Sequence, residues 1–285
     1  MLAAFLLTVR EMRAQRLVVA LFAAATLAWV AVALLLQMDI VEGSLAGVRI
    51  AGTGIEEPID GPAEGEAIPF GASSFLESVV IGIEMVAAGA AYWAATLLLL
   101  FAGGSLVVSA LEGGTAALLF TTPISRARLL AGRVGGVWAV AAVLVTYLMG
   151  SVWLVLSLKT GVWNGRFLLG LLATWAFFAA MYGIVTLVSV ATRSAGIALI
   201  AAYGLLFASI ALAPYDQLVP MMGPTGRAAY SAAYAVLPHF AEGTSLVAHL
   251  VSGEGVESWF PLWGTLAFGA ACYAGAFWLL RRHDF

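Results

Sequence analysis

The chain has one lysine, one cysteine and three histidines in 285 residues, and only 10% of its residues are charged. Each scarcity removes a class of chemistry. A P-loop needs a lysine directly after its glycine-rich turn to reach the terminal phosphates. Here Leu158 precedes Lys159, so ATP hydrolysis by this chain itself is not expected. Cys272 has no cysteine to pair with and sits in an apolar run, where it reads as a small residue facing lipid or a neighbouring helix. No His-Glu-x-x-His surrounds His239, His249 or His283, which argues against zinc proteolysis. His239, Glu242 and His249 share one segment and form a candidate metal set, with ordinary polar loop residues as the default reading. No histidine lies in a long apolar run, so a serine-protease constellation is missing too.

Hydrocarbon is what the chain has in excess. It is 62% hydrophobic with a mean hydropathy of +1.00, whereas a soluble domain is roughly half apolar and a quarter charged. The expected class is an all-α polytopic membrane protein, one domain over residues 1–285. A spanning helix needs about 20 apolar residues. Six runs qualify: 17–37, 79–110, 130–156, 167–191, 195–213 and 259–280. The second is long enough to tilt or to project beyond the bilayer. Ahead of them, residues 1–16 place Leu2, Phe5, Leu6, Val9 and Met12 at helical spacing, with Arg10, Arg13 and Arg16 alongside. That pattern predicts a helix lying in the membrane interface. The apolar run after these arginines is too long for a cleavable signal peptide, so none is expected.

Charge predicts the orientation. With six spans both termini share a side, and with them fall Arg10, Arg13, Arg16, Arg126, Arg128, Arg133, Arg193, Arg281 and Arg282, nine of the thirteen basic residues. Of sixteen acidic residues only Glu11, Glu112 and Asp284 join them. Basic loops stay inside, so both termini are expected in the cytoplasm. Outside, residues 38–74 are acidic and rich in glycine and proline (Glu56, Glu57, Asp60, Glu64, Glu66) and predict a solvated loop with room for short local structure. Residues 214–258 carry Pro214, Pro220, Pro224 and Pro238 between short apolar patches and predict re-entrant or interfacial helices.

Glu84 is the one acid well inside a predicted span, with Glu77 seven residues earlier on the same face. Intramembrane carboxylates often mark a pathway. Glu84 is therefore a candidate for a translocation path, the alternative being a solvated helix end. Gly132 with Gly136, and the pair Gly103–Gly104, have the spacing for close helix contact, although chance alone supplies such pairs among 31 glycines. Trp138, Trp153, Trp163, Trp259, Trp263 and Trp278 read as an interfacial belt.

The most specific stretch separates the second and third apolar runs. Glu112 is followed by Gly114-Thr115, then Leu118-Leu119, then Thr122-Pro123-Ile124-Ser125-Arg126 and Arg128, and Arg133 opens the next run. Leu118 and Leu119 give a short helix an apolar side, and Thr122 can cap the next helix with Pro123 at its first position. Arg126, Arg128 and Arg133 are expected to hold the segment at the cytoplasmic surface.

These residues resemble the ABC-2 family of ABC-transporter permeases. Its pattern runs as Glu, Gly-Thr, a leucine-rich stretch, Pro-[Ile/Leu/Val]-[Ser/Thr]-Arg and a basic residue opening the third span. Glu112, Gly114, Thr115, Leu118, Leu119, Pro123, Ile124, Ser125, Arg126 and Arg133 match it. Gly113 and Leu111 depart from it, standing where relatives often carry charged or polar residues. The resemblance covers the whole chain: an elbow helix at 1–16, six spans, a re-entrant-like segment at 214–258 and a basic C-terminal tail. It implies a non-enzymatic permease subunit of a bacterial inner membrane, paired as a homodimer or with a homologous chain. Residues 111–133 would be the coupling region, docking on a separate ABC ATPase subunit that holds the ATP and Mg; no cofactor is expected on this chain and no nucleic acid among its partners. Two copies would enclose a path between their first, second and fifth spans. Substrates of such systems range from lipids and polysaccharides to drugs, peptides and ions. An ATP-driven mechanotransmission complex and an ion-coupled secondary transporter are the alternatives; Glu84 alone supports the latter poorly.

Overall fold

The computed structural model of the chain describes residues 2–41, 44–50, 53–54, 74–111 and 125–282. The N-terminal helix α1 (Leu2–Ala14) breaks at Gln15, and α2 (Arg16–Leu35) forms the first span. The second span is compound: α3 (Phe75–Ala94), a π-turn (Ala95–Leu99) and α4 (Leu100–Leu111). Helices α5 (Arg126–Thr160), α6 (Phe167–Thr192) and α7 (Ala195–Leu212) are the third to fifth spans. A helical excursion of α8 (Tyr215–Leu218), a 3₁₀ turn (Val219–Met221), α9 (Pro224–Val236) and α10 (Phe240–Ser252) leads to α11 (Phe260–Arg282), the sixth. The molecule is a helical, multi-pass membrane protein. Its spans start or stop within a few residues of the hydropathy limits, apart from α3 and α5, which begin four residues ahead of 79 and 130. Alternating directions put the N- and C-terminal spans' outer ends at one end of the bundle, called here the terminal end; the other is the distal end.

Local chemistry sets the boundaries. Ser74, Ser125 and Ser194 have extended backbone and cap α3, α5 and α7, each hydroxyl accepting a backbone N–H three residues on. Ser125 caps the third span, whose helix begins at Arg126; Thr122 and Pro123, expected to start a helix, lie outside the described residues. Gly161 and Gly253 close α5 and α10 with φ of 75° and 77°. Arg193 closes α6 with φ 54°, a left-handed conformation that a residue with a Cβ adopts at a cost, and Ser194 caps α7 at once. The second span and α5 each run beyond 50 Å at about 1.5 Å per residue. Both exceed the roughly 30 Å of bilayer hydrocarbon and must tilt or project.

Residues 36–54 give the expected external loop short local structure at its start. Strands β1 (Leu36–Val41) and β2 (Ser44–Ile50) pair antiparallel, Leu36 opposite Ile50 and Gln37 opposite Arg49, and β3 (Thr53–Gly54) adds to β2. Leu36, Met38 and Ile40 alternate with Gln37 and Asp39, the period-two pattern of a strand. The rest of that segment, 55–73, lies outside the described residues.

The core is built around α6. Two-thirds of its span (67%) is buried inside the chain, against 11% for α2. Its closest neighbour is α11, and glycine makes the approach possible: a Cβ on Gly269 would stand 2.6 Å from the Cα of Ala180, and one on Gly183 would stand 2.7 Å from the carbonyl oxygen of Gly269. Trp138 belongs to this core. Its indole N–H donates to the Tyr273 hydroxyl at 3.0 Å and its carbonyl accepts from the indole of Trp175 at 3.1 Å, so it is no member of an interfacial belt. Trp163, Trp259, Trp263 and Trp278 do face outward. Cys272 is buried against neighbouring helices.

Candidate functional site

Three places carry chemistry: the terminal end around the start of α5, a polar latch at the distal end, and a groove along the first three spans. At the terminal end, Ser125 caps α5 by accepting from Arg128 N–H at 3.4 Å. Arg128 is exposed and Arg126 half-buried on the first turn of α5. Glu112, Gly114, Thr115, Leu118, Leu119, Pro123 and Ile124 of the matched pattern lie outside the described residues. Arg10, Arg13 and Arg16 are exposed, on α1 and at the start of α2.

Arg133 differs from its expected place at the surface. It is among the largest fully buried side chains, at 1% exposure, and its guanidinium is ion-paired with Glu11 of α1. The physical reason is the seat that α5 offers α1. Gly136, one turn beyond Arg133, has no side chain, and Thr8 and the Phe5 carbonyl fill that space. The buried face of α1 is therefore Ala4, Thr8 and Met12, whereas Leu2 and Leu6 point outward at 72% and 50% exposure. Sequence reasoning marked Gly132 and Gly136 as a close-contact pair but not its partner. The clue was Glu11, the only acid in the first 38 residues.

At the distal end Glu84 is fully buried. The Asn164 amide, in the turn between α5 and α6, donates to Glu84 Oε2 at 2.7 Å and to the Val251 carbonyl of α10 at 3.0 Å. Trp153 donates its indole N–H to the Asn164 carbonyl at 2.9 Å. One residue thus ties three elements together, α3 and α10 through its side chain and α5 through its backbone carbonyl. Replacing it (Asn164→Ala) strands a buried carboxyl group, which costs about 2 kcal/mol, read as a lower midpoint in detergent unfolding. Glu84→Gln keeps an acceptor for the amide and should lose under half of that. Equal losses for the two variants would refute the latch.

The groove, of about 690 Å³, runs between α2 and α3 with α5 as its floor, walled by residues such as Ala25, Ala28, Ala87, Ala91 and Leu148. Its lining is almost wholly apolar, so it offers an apolar guest contact and a polar guest few partners. The walls are the first, second and third spans; the fifth packs elsewhere, against α4 and α6. Glu84 and Glu77 sit on a different face of α3 from Gly82, Val86 and Ala90, and do not line the groove.

His239 and Glu242 meet at 3.5 Å beside Tyr234, whose hydroxyl donates to Glu242 at 2.9 Å. Burial, then the bond to Glu242 and its charge, push the Tyr234 phenol up from its ordinary range. His249 lies at the other end of α10, and no group of three or more metal-ligating side chains exists among the described residues. The cluster fastens α9 to α10.

No curated protein matches this sequence. A family model described as "ABC-2 family transporter protein" matches residues 5–285, nearly the whole chain.

Proposed function

The chain belongs to the ABC-2 transporter family, and from that membership we propose that it is the permease half of an ATP-driven complex whose nucleotide-binding subunits are separate chains. Residues 111–133 are its coupling region. Glu112, Gly114, Thr115, Leu118, Leu119, Pro123, Ser125, Arg126 and Arg128 meet the ATPase, which carries ATP and Mg. Two permease chains pair in a bacterial inner membrane with both termini in the cytoplasm, and α1 acts as the elbow helix along its inner face, Arg10, Arg13 and Arg16 at the lipid headgroups. The apolar lining of the groove favours an apolar or amphiphilic cargo over a polar one.

The observation that carries this reading is continuity. The second span ends at Leu111 and a 35-residue helix starts at Arg126. A push on the residues between them enters α4, the terminal half of the second span, and the 35-residue α5 directly. The missing P-loop fits the same scheme, since the energy source is on another polypeptide. The test is co-purification with the ATPase and measurement of ATP turnover with and without this chain. Arg126→Glu combined with Glu112→Ala is expected to reduce the stimulated turnover at least tenfold while the permease still folds. Unchanged assembly and turnover in the double variant would sink the coupling assignment.

A further inference from the structure

The second span is a chain of two helices that share α5 and α6 as neighbours but differ in their others. Its distal half, α3, is bound to α10: the Tyr92 hydroxyl donates to the Phe240 carbonyl at 2.6 Å, and Glu84 is held by Asn164. Its terminal half, α4, is bound to α6 and α7. The Tyr182 hydroxyl donates to the Gly103 carbonyl at 3.1 Å, and Gly104 admits Leu199 so closely that a Cβ there would meet it at 2.9 Å.

Between the halves lies the π-turn Ala95–Leu99. A π-turn holds one residue more than an α-turn and displaces carbonyls from their usual acceptor geometry. Side chains fill in here. Thr96 donates its hydroxyl to the Tyr92 carbonyl at 2.8 Å, and Tyr203 of α7 donates to the Leu97 carbonyl at 2.7 Å. Tyr203 reaches the turn itself, across 106 residues of sequence.

We propose that Ala95–Leu99 is the joint of the second span and that Tyr203 is a positioning residue, setting the angle between α3 and α4. The terminal half, with the residues that follow Leu111, then moves with α6 and α7 while the distal half stays with α10. This rests on the permease reading, because it supplies the element through which movement at the coupling region bends the second span.

The test uses the complete complex with its ATPase in lipid nanodiscs, in a Cys272→Ala background. Spin labels go on Val86 and Phe101, exposed at 74% and 60% on opposite sides of the turn. A reference pair on Phe101 and Phe207 lies on the terminal half and α7. The Val86–Phe101 distance should differ between nucleotide-free and ATP-bound complexes, and the reference distance should not. Tyr203→Phe should change the ratio of the two Val86–Phe101 populations about fivefold, the shift that one net hydrogen bond supplies. Tyr273→Phe, which removes a tyrosine bond to the Ala179 carbonyl of 2.6 Å away from the turn, should leave that ratio alone. A single unchanging distance in a complex whose ATPase is stimulated overturns the joint. So does a Tyr203→Phe ratio no different from that of Tyr273→Phe. Absence of any stimulation by the unmodified chain would overturn the permease reading beneath it.

Discussion

Gly269→Ala should lower the unfolding free energy by about 3 kcal/mol, the upper part of the range for overpacking. The added methyl would stand 2.6 Å from the Cα and 2.8 Å from the carbonyl oxygen of Ala180. Both are backbone atoms, so no rotamer change relieves the clash; α11 must move away from α6. That separation would also weaken the Tyr273 bond to Ala179 and the Trp138–Tyr273 contact nearby. Gly204→Ala is the matched control, because nothing lies within 4 Å of a Cβ at Gly204 on α7. Alanine is the better helix former by up to about 1 kcal/mol, so Gly204→Ala should be neutral or mildly stabilising. Unfolding of both variants by SDS in mixed micelles measures the difference. Similar midpoints would show that the α6–α11 crossing is looser than described.

Breaking the Glu11–Arg133 pair should be asymmetric. Arg133 is 1% exposed and Glu11 35%. Removing Glu11 leaves a guanidinium enclosed without its counter-charge, whereas removing Arg133 leaves a carboxylate that water already reaches. Uncompensated buried charge costs about 3–5 kcal/mol, and the partial exposure of Glu11 reduces that. Glu11→Gln should therefore lose about 2–3 kcal/mol and release α1, seen as faster proteolysis or hydrogen exchange over 2–14. Arg133→Met keeps most of the side-chain volume and should lose less than half as much. If Arg133→Met proves the more damaging, the pair is not held together by the burial of the arginine.

The spans were legible because a run of about 20 apolar residues is a one-dimensional signal. Hence 167–191 and 195–213 nearly coincide with α6 and α7. What hydropathy cannot show is which neighbour a residue meets. Trp138 has the same apolar flanks as a lipid-facing tryptophan, yet its partners are Trp175 and Tyr273. The π-turn was invisible for a similar reason, since one extra residue leaves an apolar run apolar. The seat of α1 needed Thr8, Glu11, Arg133 and Gly136 to be brought together across more than 120 residues, which no local pattern encodes. The resemblance supplied the coupling residues as a motif, and only Ser125, Arg126 and Arg128 of that set fall among the described residues.

The turn between the fourth and fifth spans shows where composition and conformation compete. Arg193 holds φ at 54°, a conformation that glycine adopts freely and other residues at roughly 1–2 kcal/mol. A glycine there would relax the turn but delete one of the nine arginines that gather at the terminal end. The chain keeps the cation at a site better suited to the smallest residue. The cation adds to the kind of basic bias that orients a chain on insertion, whereas a glycine would ease only the finished fold.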